Sequence, residues 1–211
     1  MIRRCALLAG CIIVAFAWLG PLRPLVHDAF FAHMTIHMLI VAVAAPLLAI
    51  GIAGGRFDPV RTSPGLFAPI PASLLELVIV WIWHTPALHH AARSHGALFA
   101  VEQTTFLAAG LLLWVSVLGG GASRGANRTG AGIVALLLTS MHMTLLGALL
   151  ALSPRPLYPH GAAPSFMTAI DDQHLGGAIM LVAGGAAYLL GGVGLTVTLF
   201  RGTARVPMER T

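Results

Sequence analysis

Long apolar runs separated by short polar connections set the pattern of this chain. A helix crossing hydrocarbon needs roughly 20 apolar residues. Six segments meet or approach that length: residues 5–20, 29–52, 67–84, 97–118, 130–152 and 174–200. The first is short. The third is the most interrupted, with Pro69 and Pro71 at its start and Glu76 inside it. "SLLE" at Ser73 to Glu76 fits a capping box, so Glu76 is read as capping a helix that begins there, in preference to an intramembrane proton carrier. The predicted fold is all-α: a polytopic membrane helix bundle of about six transmembrane helices, forming a single integral membrane domain over 1–211. The longest connections, "SPRPLYPHGAAPSFMTAIDDQ" and "GGRFDPVRTSPG", are too short and too rich in Pro and Gly to fold alone. No internal repeat is evident, so the inverted-repeat plan of many transporters has no support.

Composition agrees with the pattern. Hydrophobic residues make up 57% and charged residues only 9%, against roughly 25% charged in soluble domains. All 12 basic side chains are arginine, a bias that reads, with the abundant Ala and Gly, as a GC-rich genome. The arginines also orient the chain. Arg3, Arg4, Arg56, Arg61, Arg124, Arg128, Arg201, Arg205 and Arg210 fall at the termini and in alternate connections, and only Arg23, Arg93 and Arg155 fall on the other side. The positive-inside rule then places both termini in the cytoplasm of a plasma membrane. The net charge of +5 reports that orientation and gives no sign of nucleic-acid binding.

Cys5 and Cys11 both lie in the first apolar run, so no disulfide framework is implied. "LAGC" before and at Cys11 resembles a lipoprotein cleavage box. A signal peptide carries its apolar region ahead of the cleavage point, whereas here apolar sequence continues to Leu19. Both cysteines are therefore read as small apolar residues in a span.

The 10 histidines and 8 methionines change the picture, since both residue types ligate metals. On the predicted topology His27, His89, His90, His95 and His160 lie in outer connections, His84 and His174 at outer span ends, and His142 deep in span five. His33 and His37 lie one and two turns into span two from its outer end. No histidine is predicted to be cytoplasmic. His33 and His37, at i and i+4 in "HMTIHM", share one helix face, and Met34 and Met38 form a second stripe about 100° away. In "MHM", Met141 and Met143 flank His142, and a regular helix cannot aim all three at one ion. Met180 is predicted at a depth comparable with His37. Imidazole with thioether suits copper, thioether favouring Cu(I). The bland alternative stays open: a histidine near a helix end is often interfacial, and methionines in spans mostly pack. Asp171, Asp172 and Glu102 lie near span starts, where the helix dipole alone favours negative charge. Asp172 and Glu102 are equally candidates to orient a ligating imidazole from behind.

Enzyme readings fare worse. "HMTIH" has the histidine spacing of a zinc protease helix but lacks the glutamate base. "HTPALHH" loosely resembles a di-iron oxygenase box, but those boxes belong on the cytoplasmic side. A haem-binding cytochrome is the better rival, with His37 and His142 on neighbouring helices as axial ligands; a non-metal assembly scaffold is another.

The ordered series "HMTIHMLIVAVAAPLLAIG", "WHTPAL", "TLLGALLALSPRPLYP" and "DDQHLGGAIM" resembles the CtaG family of multi-span cytochrome c oxidase assembly factors associated with caa-type oxidases, over residues 27–200. This is not the unrelated single-span copper chaperone of the same name. The resemblance implies a plasma-membrane protein, without catalytic turnover, that matures a copper-containing oxidase by handling or inserting copper from the periplasmic side. Its implied partners are oxidase subunits or a copper donor protein. His33, His37 and His84 match the family's histidine positions, and "DDQHLGG" its acidic motif. Where similar proteins read "LHALEH", this chain reads "LFAVEQ", with Phe99 and Gln103 replacing histidines, and Leu181 stands where a tryptophan is usual. The expected copper site is His33, His37, His84 and His142, completed by Met38, Met143 or Met180, with Asp172 and Glu102 behind it. Gly176 and Gly177 are expected either to permit close helix approach or to be ordinary packing.

Overall fold

The computed structural model describes residues 1–121, 125–158 and 167–203. Seven helices are described: α1 (Ile2–Leu19), α2 (Phe30–Ile52), α3 (Pro69–Trp83), α4 (Pro86–Ser94), α5 (Gly96–Leu118), α6 (Ala126–Ala151) and α7 (Ala169–Thr203). Five are long and apolar enough to cross a membrane, and α3 with α4, bent by 73°, makes up to a sixth span. The all-α expectation holds, and the predicted span limits fall within a few residues of the observed helices. Arg124, Arg205, Arg210 and His160, used in the orientation argument, lie outside the described residues.

Helix association in lipid depends on close packing rather than on exclusion of water. The tightest seam joins α6 and α7 at Gly147 and Gly177. A Cβ on Gly177 would stand 2.4 Å from the Ala151 nitrogen and 2.8 Å from the Gly147 carbonyl. A Cβ on Gly176 would meet the Phe30 ring at 2.4 Å. Close approach is therefore required at both positions. By contrast α1 is peripheral, held where Gly10 meets Leu48 and where the Arg3 guanidinium donates to the carbonyls of Gly51 and Ile52. Cys5 and Cys11 are free and exposed on it.

Two sequence features bend the bundle. Pro46 has no N–H, so the carbonyls of Val41 and Ala42 lose the donor that π or α register would supply from that position. The backbone widens into a π segment at Leu39–Ala44. The Val41 carbonyl then accepts from Trp114 Nε1 at 3.3 Å and from the Tyr188 hydroxyl at 3.4 Å. At the other break, Pro86 forces Thr85 into extended backbone, with φ −66° and ψ 137°, and starts α4 in a new direction. The segment expected to be a plain outer loop around His89 and His90 is thus a helix.

The capping-box reading of Glu76 is overturned. The helix begins at Pro69, four residues before Ser73, and Glu76 is fully buried with the Tyr188 hydroxyl 2.7 Å from its Oε1. Ser73 instead joins α6, donating to the Ala135 carbonyl and pairing with Thr139 Oγ1 at 2.9 Å.

At the arginine-rich end, buried Asp58 accepts from the backbone N–H groups of Gly54, Val60 and Gly120. Arg128 donates to the carbonyls of Pro64, Phe67 and Ser116. These contacts close the connections on that side, opposite the histidines.

Candidate metal centre

Three elements converge near the histidine-bearing end. His33 comes from the first turn of α2, His89 from α4, and Glu102 from the second turn of α5. Their ligand atoms all lie within 4.8 Å of one another, and all three side chains are buried. His33 Nε2 stands 3.7 Å from Glu102 Oε1, and the rings of His33 and His89 meet edge to face with centroids 4.6 Å apart. Gln103 donates to the other Glu102 oxygen at 3.3 Å, which fixes the carboxylate plane.

His37, one turn deeper on the same face of α2, packs against His84 at 5.4 Å and Phe106 at 4.1 Å between ring centroids. His84 Nδ1 is tied to the Val80 carbonyl at 2.6 Å, leaving Nε2 without a hydrogen-bond partner among the described residues. His142 is buried on α6, but no ring contact joins it to the cluster among the described residues. Side chains therefore fill the space about His37 on the Phe106 and His84 sides, where a haem would need a slot.

The methionines lie elsewhere. Met34 reaches to within 3.1 Å of a Cβ on Gly176, and Met38 Sδ to within 3.5 Å of one on Gly184, where Met143 also packs. Phe30, Met34 and Met38 thus form the α7-facing stripe of α2, while His33 and His37 form the stripe facing α3, α4 and α5. Met180 is fully buried in the core of the bundle. The histidine and thioether stripes are both present as spacing predicted, but they face different neighbours.

Asp172 also has another task. Its two oxygens accept the N–H groups of Phe30 at 2.7 Å and Phe31 at 2.8 Å. It caps α2 across the bundle, satisfying two of the donors that a helix start leaves open. Through that cap it sets where His33 sits. Gln173 does similar service for the outer loop, accepting from Leu157 N at 2.6 Å.

An aromatic wall covers the cluster. Phe30 stacks on Tyr158 at 4.6 Å, and His89 packs on Tyr158 at 4.5 Å. The Tyr158 hydroxyl donates to the His84 carbonyl, and burial pushes its phenol well above the ordinary tyrosine range. A cavity of about 370 Å³ lies on this side, lined among others by His89, His90, Arg93 and Tyr158. Arg93 is anchored to the first outer connection, donating to the His27 carbonyl while His27 Nδ1 lies 2.7 Å from the Arg93 carbonyl.

His89, expected in a loop, is absent from the expected copper site yet belongs to this cluster. The signal was there: after Pro86, residues His89, Ala92 and Arg93 recur at the i, i+3, i+4 spacing of an inward helix face, and these are the buried positions of α4.

Fold and site together define a multi-pass helical membrane protein with a buried cluster of imidazoles and a carboxylate near one membrane face. A family model, the cytochrome c oxidase caa3 assembly factor, matches residues 1–202, and the chain belongs to that family. No curated protein and no solved structure matches the chain.

Proposed function

We propose that this protein assists maturation of a caa3-type oxidase in a bacterial plasma membrane by holding copper, as cargo, at the periplasmic end of the bundle, with no catalytic turnover of its own. The observation that carries this reading is the convergence of His33, His89 and Glu102. Imidazole and carboxylate are donors that divalent copper accepts. The 3.7 Å between His33 and Glu102 is close to the spacing of about 3.4 Å between two atoms that each lie about 2.1 Å from one tetrahedral ion. Glu102 supplies negative charge where a cation would otherwise be desolvated among aromatic rings. His37 and His84 extend the donor line one turn deeper. The cavity beside His89 is the approach for a copper donor or an oxidase subunit, and His90 stands exposed at its edge.

The test is complementation of a deletion strain. Wild type restores copper content and activity of the oxidase, whereas His89→Ala and Glu102→Gln, present in the membrane at equal amounts, do not. A fully copper-loaded oxidase in the deletion strain removes the proposal.

A further inference from the structure

Glu76 is the central residue of α3, completely buried, and belongs to none of the metal-site contacts. We propose that Glu76 is a reversible proton-binding site inside the membrane, with Tyr188 and the Val41 carbonyl forming the relay that takes up its hydrogen bond.

The Tyr188 oxygen lies 2.7 Å from Glu76 Oε1 and 3.4 Å from the Val41 carbonyl, and a hydroxyl has one proton to donate. When the carboxyl carries a proton, Glu76 donates to Tyr188 and Tyr188 donates to Val41, whose backbone donor Pro46 has removed. The hydroxyl protons of Glu76 and Tyr188 then each have an acceptor, and Val41 keeps both of its donors. When the carboxyl is ionised, Tyr188 must turn to Glu76 and Val41 keeps only Trp114 at 3.3 Å. The second oxygen, Oε2, has no hydrogen-bond partner within 3.5 Å among the described residues; the Thr139 hydroxyl of α6, paired with Ser73, is the other polar group beside the carboxyl, and no basic side chain among the described residues forms an ion pair with Glu76. An isolated carboxylate in such a place is strongly disfavoured, so a proton is the ligand this site takes. Tyr188 is the titratable group that faces Glu76, from α7. On α2 the nearest is His37, one turn from Val41, and on α6 it is His142, one turn from Thr139; α5 presents Trp114. A purely mechanical clamp between helices would need a hydrogen bond here but no exchangeable proton, and Gln would serve it as well.

The test uses the full chain in lipid nanodiscs. Dicyclohexylcarbodiimide, which attacks protonated carboxyls in apolar surroundings, is expected to form an adduct at Glu76, located by mass spectrometry. Infrared spectra across a pH titration are expected to show a protonated-carboxyl C=O band that is lost in Glu76→Gln and kept in Glu102→Gln. A protonated-carboxyl band in Glu76→Gln identical to that of wild type overturns the proposal, as does absence of the adduct. Protection of Glu76 by sodium ions at constant pH also overturns it, in favour of a metal cation among the oxygen atoms. Should Glu76→Gln not fold, the wild-type adduct and its sodium response decide alone. None of these readouts depends on copper.

Discussion

Glu102 Oε1 stands 3.7 Å from His33 Nε2, with both side chains fully out of solvent contact. A buried carboxylate beside an imidazole is a costly arrangement unless something compensates the charge, and His89 brings a second imidazole to the same point. Because Met38 and Met143 face Gly184 instead, thioether is not part of this donor set. Met38→Leu and Met143→Leu are therefore expected to leave copper affinity unchanged, measured by competition with a chromophoric chelator. A tenfold loss in either variant would show that thioethers bind the ion.

Asp172 joins α7 to the start of α2. Removing it strands one buried and one part-buried N–H group that now have a carboxylate acceptor, each bond worth about 1.5–3 kcal/mol. Asp172→Ala is expected to lower the unfolding midpoint in detergent markedly, and to weaken metal binding indirectly by loosening His33. Asp172→Asn, which keeps one acceptor oxygen, should lose about half as much stability.

The α6–α7 seam makes a graded prediction. Gly177→Ala places a methyl against the Ala151 backbone, and Gly176→Ala places one in the Phe30 ring, whereas a Cβ on Gly194 meets nothing within 4 Å. The first two are expected to cost about 1–3 kcal/mol from overpacking. Gly194→Ala should be neutral or slightly stabilising, because alanine is the better helix former. Thermal melts of the three variants in one detergent decide this.

Tyr158 gives a pH dependence. Burial raises its phenol above the unfolded value of 10.0, so the folded state keeps the proton after the unfolded chain has lost it. Its contribution to stability is complete below pH 10 and falls as pH rises beyond that point. Tyr158→Phe should flatten the alkaline decline in the unfolding midpoint, at the cost of the hydrogen bond to His84. An unchanged alkaline slope would count against this reading of Tyr158.

The spans were legible because a membrane leaves a coarse signal: about 20 apolar residues are needed whatever they pack against. The two stripes on α2 were legible for a similar reason, since spacing along one helix fixes which side chains share a face. Which neighbour each stripe meets was not. Helix rotation is set by contacts such as Gly176 on Phe30 and Asp172 on the Phe30 and Phe31 amides, which lie about 140 residues apart in the chain. His89 was hidden by a loop-like composition that Pro86 turns into a helix. Glu76 was misread because a local motif, "SLLE", offered a sufficient explanation, while its true partner Tyr188 lies on the last helix.

The central claim is that His33, His89 and Glu102 form one copper site. Titration of copper into the purified full chain, with His89→Ala, Glu102→Gln and His142→Ala beside wild type, tests it most directly. One tightly held copper per chain is expected in wild type and in His142→Ala, and its loss in His89→Ala and Glu102→Gln while their melting curves stay cooperative. Equal copper retention in all four proteins would contradict it.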